Sequence, residues 1–173
     1  MQTRVELHDN QDMTPGVASS EFLVEKSRAP AVLTLSNGES LAGSFFVAGG
    51  SARHEGPERI GDLLNSETGF FPFEILEAGI AQTVLVHRDH VVTIALSENE
   101  ASREPGYALA TSRTVSLLLS VGQRLDGVVH VYRPKGRDRL SDWAQHGERF
   151  RYVETVGATI VVNVDHVLEA REV

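Results

Sequence analysis

The chain of 173 residues carries 16 Lys/Arg against 24 Asp/Glu, for a net charge of −8, with 41% hydrophobic residues and no cysteine. That apolar fraction supports a packed core, and the length suits one compact domain or two small ones. Without cysteine there is no disulfide framework, no thiolate metal site and no thiol nucleophile, and no apolar run reaches the ~20 residues of a membrane-spanning helix.

The acidic excess is uneven. Residues 31–98 hold three Arg against nine Asp/Glu, whereas 115–173 hold eight of each sign. Nucleic-acid binding draws most of its affinity from phosphate neutralisation, so this balance argues against a nucleic-acid partner. The segment Met1-Gln2-Thr3-Arg4-Val5-Glu6-Leu7-His8 lacks the apolar core of a secretory signal, and a cytoplasmic location is the corresponding expectation.

Residues 1–20 are polar and broken by Pro15-Gly16, and 1–30 are expected to form a flexible tail in which Phe22-Leu23-Val24 is a short docking strand. A first repeat, 31–98, opens with the β-rich run Ala31-Val32-Leu33-Thr34-Leu35-Ser36. Asn37-Gly38 and a second run to Val47 follow. Asn-Gly between two such runs predicts a hairpin with a type I′ turn. The loop 49–57 is rich in glycine but has no Lys, so it does not suit a phosphate cradle.

Next comes Arg59-Ile60-Gly61-Asp62-Leu63-Leu64-Asn65, in which Ile60, Leu63 and Leu64 share one face of a helical turn. Arg139-Leu140-Ser141-Asp142-Trp143-Ala144-Gln145 repeats the pattern. Arg59 with Asp62, and Arg139 with Asp142, read as local i,i+3 pairs worth ~0.2–0.5 kcal/mol each. Leu63 and Trp143 read as the buried anchors of the two helices. Strand-like runs then end at His87-Arg88-Asp89-His90 in the first repeat and at Asn163-Val164-Asp165-His166 in the second. His87, Asp89 and His90 have metal-ligand character, but the second copy replaces the first His by Asn163. Turn chemistry, with the Asp bonding its own backbone, is the simpler reading. No metal and no cofactor are expected.

The landmarks align. Gly38, Leu41 and Gly43 match Gly122, Leu125 and Gly127, while Arg59, Asp62, Phe70 and Glu74 match Arg139, Asp142, Phe150 and Glu154. Val86, Asp89, His90 and Val91 match Val162, Asp165, His166 and Val167. The organisation expected is a repeat at 31–98, a linker at 99–114 and a repeat at 115–173. Each repeat reads β-β-α-β-β-β, and the fold class is mainly β: a tandem duplication of a small antiparallel barrel- or sandwich-like unit. Units of this size bury too little surface to be comfortable alone, so packing between them is expected.

Arg133, Lys135, Arg137 and Arg139 form a basic loop before the second helix, a weak candidate for an anionic ligand or nucleotide. Its Arg-x-x-x-Arg resembles the first half of the PilZ-domain motif, which implies cyclic di-GMP, but the second half of that motif is absent. The strand, glycine turn and second glycine that open each repeat resemble an Sm-like barrel. That likeness implies RNA, which the acidic first half opposes. The segments 31–96 and 115–168 resemble small bacterial domains with an Arg-Leu-Ser-Asp-x-Leu-Asn-type core, a family that implies no activity. Arg139-Leu140-Ser141-Asp142 and Asp62-Leu63-Leu64-Asn65 carry this likeness. No Gly-x-Ser-x-Gly elbow or His-Glu-x-x-His is present. The reading is of a non-enzymatic binding or assembly module, a bacterial regulatory accessory with a protein partner, able to self-associate through strand edges.

Overall fold

The computed structural model describes residues 26–51 and 53–173. Ten strands and two short helices follow one another in this order: β1 (Lys26–Leu35), β2 (Ser40–Ala48), α1 (Ile60–Ser66), β3 (Phe70–Glu77), β4 (Ile80–His87), β5 (Val91–Leu96), β6 (Thr111–Leu119), β7 (Arg124–Val131), α2 (Leu140–Ala144), β8 (Phe150–Thr155), β9 (Ala158–Asn163) and β10 (Val167–Glu172). The docking strand expected at Phe22-Leu23-Val24 lies outside the described residues. Lys26–Pro30, placed in the tail by the sequence reading, are instead the first half of β1. β6 likewise begins at Thr111, inside the expected linker.

All ten strands form one antiparallel sheet in the order β10-β6-β7-β8-β9-β5-β1-β2-β3-β4. Within each half the order is fifth, first, second, third, fourth, and the register is the same. Leu33 faces Leu41 and Ile94, as Leu117 faces Leu125 and Ala170. Phe70 faces His87 as Phe150 faces Asn163. The strand after each helix crosses its predecessor closely at one glycine. A Cβ on Gly43 would lie 2.1 Å from Glu74 O, and one on Gly127 would lie 2.6 Å from Glu154 O. No other residue fits there.

The hairpin at Asn37-Gly38 is present, but its turn differs from expectation. Gly38 N donates to Leu35 O, Leu35 N donates to Glu39 O, and only Gly38 is left-handed, at φ 86°. This is a type I turn closed by a glycine bulge, because Asn37 stays at negative φ. The two-residue type I′ turn sits between β3 and β4, where Ala78 and Gly79 have φ of 50° and 77°.

The halves meet where β5 pairs with β9, Ile94 opposite Val161. The hydrophobic residues gather in two clusters. The first unites Leu33, Phe45, Ile60, Leu64, Phe71, Phe73 and Ile94 with Phe150, Tyr152 and Val161 from the second half. The other unites Val115, Leu117, Val129, Trp143, Val153 and Val162 with Val92 from the first half. Neighbouring residues of β5, β8 and β9 thus serve opposite faces. This is why Phe150-Arg151-Tyr152-Val153 is buried throughout rather than at alternate positions.

Candidate functional site

Both signature helices are anchored by groups far away in the chain. Arg59 precedes α1 and is buried, a correction to the expected exposed pair. Its Nε and Nη2 donate to the Asp62 carboxylate at 2.7 and 2.9 Å, and His54 Nε2 lies 2.9 Å from the same group. Burial alone would raise the Asp62 carboxyl, but the Arg59 bonds and charge, aided by His54, hold it below the usual range. Arg139 is exposed in contrast and meets Asp142 through its backbone, its N–H donating to the Asp142 carboxylate and its carbonyl accepting from Asp142 N–H, both at 3.0 Å. The two sequence copies therefore differ in kind. Leu63, expected as the buried anchor of α1, is only partly buried. Leu64 takes that place, while Trp143 is buried as expected.

The N-terminus of α1 is closed by groups outside the helix. Ile60 N–H donates to Glu100 Oε2 at 2.9 Å and Gly61 N–H to Tyr152 Oη at 3.1 Å, while the Tyr152 hydroxyl donates to Glu100 at 2.9 Å. Burial pushes both the Glu100 carboxyl and the Tyr152 phenol up, against the bonds they accept. Asn65 completes this side, its Nδ2 donating to Phe150 O and its Oδ1 accepting from Arg149 N and Phe150 N.

Two buried arginines, which the sequence reading did not single out, receive the C-terminal carbonyls of the helices. Arg88 donates to Thr68 O, Phe70 O and Leu63 O, and Arg151 to Trp143 O, His146 O and Glu148 O. Orphan carbonyls at a helix end favour such a cation. Arg151 also stacks 5.0 Å from the Trp143 ring. Burial pulls its guanidinium down to about 10.

The hairpin-tip residues, expected to turn on an Asp that bonds its own backbone, are capped differently. His87 Nδ1 and Asn163 Oδ1 accept from Asp89 N and Asp165 N respectively, so the capping group is the first residue and not the Asp. The Asp89 carboxylate instead meets Arg149 across the junction. Ser36 Oγ lies 3.1 Å from His90 Nδ1, and Ser120 Oγ lies 2.7 Å from His166 Nδ1. Each Ser N–H also donates to the carbonyl of its His, so these pairs tie a hairpin turn to the end of the sheet. No cluster of three or more metal-type ligands occurs among the described residues.

Arg133, Lys135, Arg137 and Arg139 are all exposed. Arg133 and Arg137 converge with Asp142 and Gln145 around a surface hollow of about 290 Å³, and Lys135 and Arg139 do not line it. A second cavity, of about 40 Å³, lies between the linker, β7 and α2, lined by Glu104, His130, Tyr132, Trp143 and Arg151 among others. It is water-sized. Its polar groups are paired, Tyr132 with Glu104 and His130 with Glu154. Burial pushes the Glu104 carboxyl up.

Among the described residues the two ends of the sheet are unpartnered: β4 and β10 each have a neighbour strand on one side only. Phe70, Leu76, Ile80 and Leu85 lie exposed on β3 and β4, and Leu168 lies exposed on β10. Among the described residues no helix is long and apolar enough to cross a membrane. Comparison of the chain with protein-family models, with curated proteins and with solved structures finds no match.

Proposed function

We propose that the chain is a non-enzymatic binding or assembly module, a bacterial regulatory accessory protein, built by tandem duplication of one barrel-like five-stranded unit. The repeated register, the repeated glycine crossings and the recurring Ser–His ties support the duplication. The observation that carries the function is the pair of free sheet edges beside exposed apolar side chains. Unpaired strand edges recruit another strand unless charge or bulges blunt them, and strand addition is a recurring mode of recognition. The test is affinity capture from the native host with the wild-type chain and with Leu85→Lys. A protein retained by the wild type and lost from Leu85→Lys supports the reading. Capture indifferent to this change, together with turnover of any compound in an activity screen, sinks it.

A second reading rests on the hollow between Arg133 and Arg137, whose guanidinium groups suit an anionic ligand. Calorimetry with inorganic phosphate, pyrophosphate and cyclic dinucleotides tests it. Heat that vanishes in the Arg133→Ala, Arg137→Ala double variant favours a sensor over an assembly module.

A further inference from the structure

The junction between the halves is itself an interface, and the chain carries the unused parts of a second one. At the junction the second half donates Phe150, Tyr152 and Val161 to the first cluster, and the first half donates Val92 to the other. The shared register assigns each donor a counterpart: Phe70, Pro72 and Leu85 on β3 and β4, and Leu168 on β10. Every counterpart is exposed. Phe150 is 1% exposed and Phe70 59%; Val161 is 0% and Leu85 67%; Val92 is 0% and Leu168 66%. Four positions that bury themselves at the internal junction therefore stand in water at the outer ends. The second cluster also lacks the three side chains that its counterpart borrows across the junction.

We propose that these ends complete one another between copies: β10 of one chain pairs antiparallel with β4 of a second copy, repeating the internal β5–β9 junction head to tail. This rests on the assembly reading above and gives it an occupant. Carrying over the internal register places Glu169 opposite Val86, Ala170 opposite Leu85, Arg171 opposite Val84 and Glu172 opposite Thr83. Phe70 and Leu85 of the second copy then cover the cluster around Trp143, and Leu168 packs against the β3–β4 face. The charges on β10 do not block this. Thr93 and Ala95, the counterparts of Glu169 and Arg171, stay only half-buried at the internal junction, so those two groups keep their access to water; Glu172, whose counterpart Leu96 is buried there, is already paired with Arg113 at 3.0 Å. The contact is heterologous, using two different patches, so it generates a ring or a filament according to the rotation between halves.

Light scattering after size-exclusion chromatography tests this with the full chain. The wild type is expected to run at a multiple of 18.9 kDa. Leu85→Lys and Leu168→Lys each change an exposed side chain and leave the fold intact, which circular dichroism checks. Alone, each lacks one half of the junction and is expected to be monomeric. Mixed, the intact β10 of Leu85→Lys meets the intact β4 of Leu168→Lys, and a one-to-one dimer is expected. Either variant remaining self-associated on its own would mean like-with-like pairing and overturn the head-to-tail arrangement. A monomeric wild type would overturn self-association altogether. If that monomer still captured a host protein in a Leu85-dependent way, the edge-binding function would stand without it.

Discussion

Leu64→Ala measures how far the two halves share one folding unit. Leu64 is 1% exposed, on the face of α1 that packs into the cluster completed by Phe150, Tyr152 and Val161 of the second half. Truncating a leucine so enclosed removes its transfer free energy and leaves a cavity, a cost of about 3–5 kcal/mol. Against a total stability of ~5–15 kcal/mol that is a large fraction. With a urea m-value of about 2 kcal/mol per molar, the midpoint should fall by roughly 1.5–2.5 M. The assay is equilibrium unfolding in urea followed by far-UV circular dichroism and by fluorescence of Trp143, the single tryptophan of the chain, which belongs to the other cluster. One transition, seen at the same lowered midpoint by both probes, is the expected result. A tryptophan transition that stays at its wild-type midpoint while the dichroism splits in two would refute the shared unit. Leu63→Ala, at a partly buried position, should cost less.

Two other predictions follow from the polar groups around α1. Arg59→Ala leaves the Asp62 carboxylate with His54 alone and should cost about 3 kcal/mol, whereas Arg139→Ala at an exposed position should change stability by less than ~0.5 kcal/mol. Equal urea midpoints for these two variants would refute the asymmetry. Burial raises the Glu100 carboxyl, so the folded state holds that proton more tightly than the unfolded chain does. Its contribution is then present below the ordinary carboxylate pKa and is lost as pH rises through the raised value. Glu100→Gln lacks the titration, so its melting temperature should gain on the wild type as pH rises from the ordinary carboxylate pKa of ~4.3 through the raised value. A constant gap across that window would count against a desolvated carboxyl.

Strand runs, glycine turns and both helices were legible because each depends on local periodicity or on one residue's conformational freedom. The environment of the site was not legible, since it is set by distant chain. Arg59–Asp62 and Arg139–Asp142 have the same spacing, but only the former is buried, next to a helix start that Glu100 and Tyr152 bond from far along the chain. Leu63 and Leu64 are adjacent on a helix of seven residues, and the roll that chooses between them is fixed by β8. Arg88 and Arg151 did not stand out, because the helix carbonyls they serve are not their neighbours in register. Arg88 aligns with Val164, and Arg151 with Phe71.

The absence of a local side-chain N-cap on α1 has a consequence for the order in which the molecule assembles. Its first N–H groups wait for Glu100, 40 residues on, and Tyr152, 91 residues beyond Gly61, whereas its Leu63 carbonyl is met locally by the Ser66 hydroxyl at 2.9 Å, with Arg88 adding a longer bond. A two-turn segment cannot pay its nucleation cost unaided. On a ribosome, where the N-terminal half emerges first, the start of this segment is not fully satisfied until most of the chain has left the exit tunnel. The strands β1 to β5 can form their local hairpins earlier, but the helix sets only when β8 arrives. It is a latch that closes on the finished molecule, and the first element to let go when the junction opens.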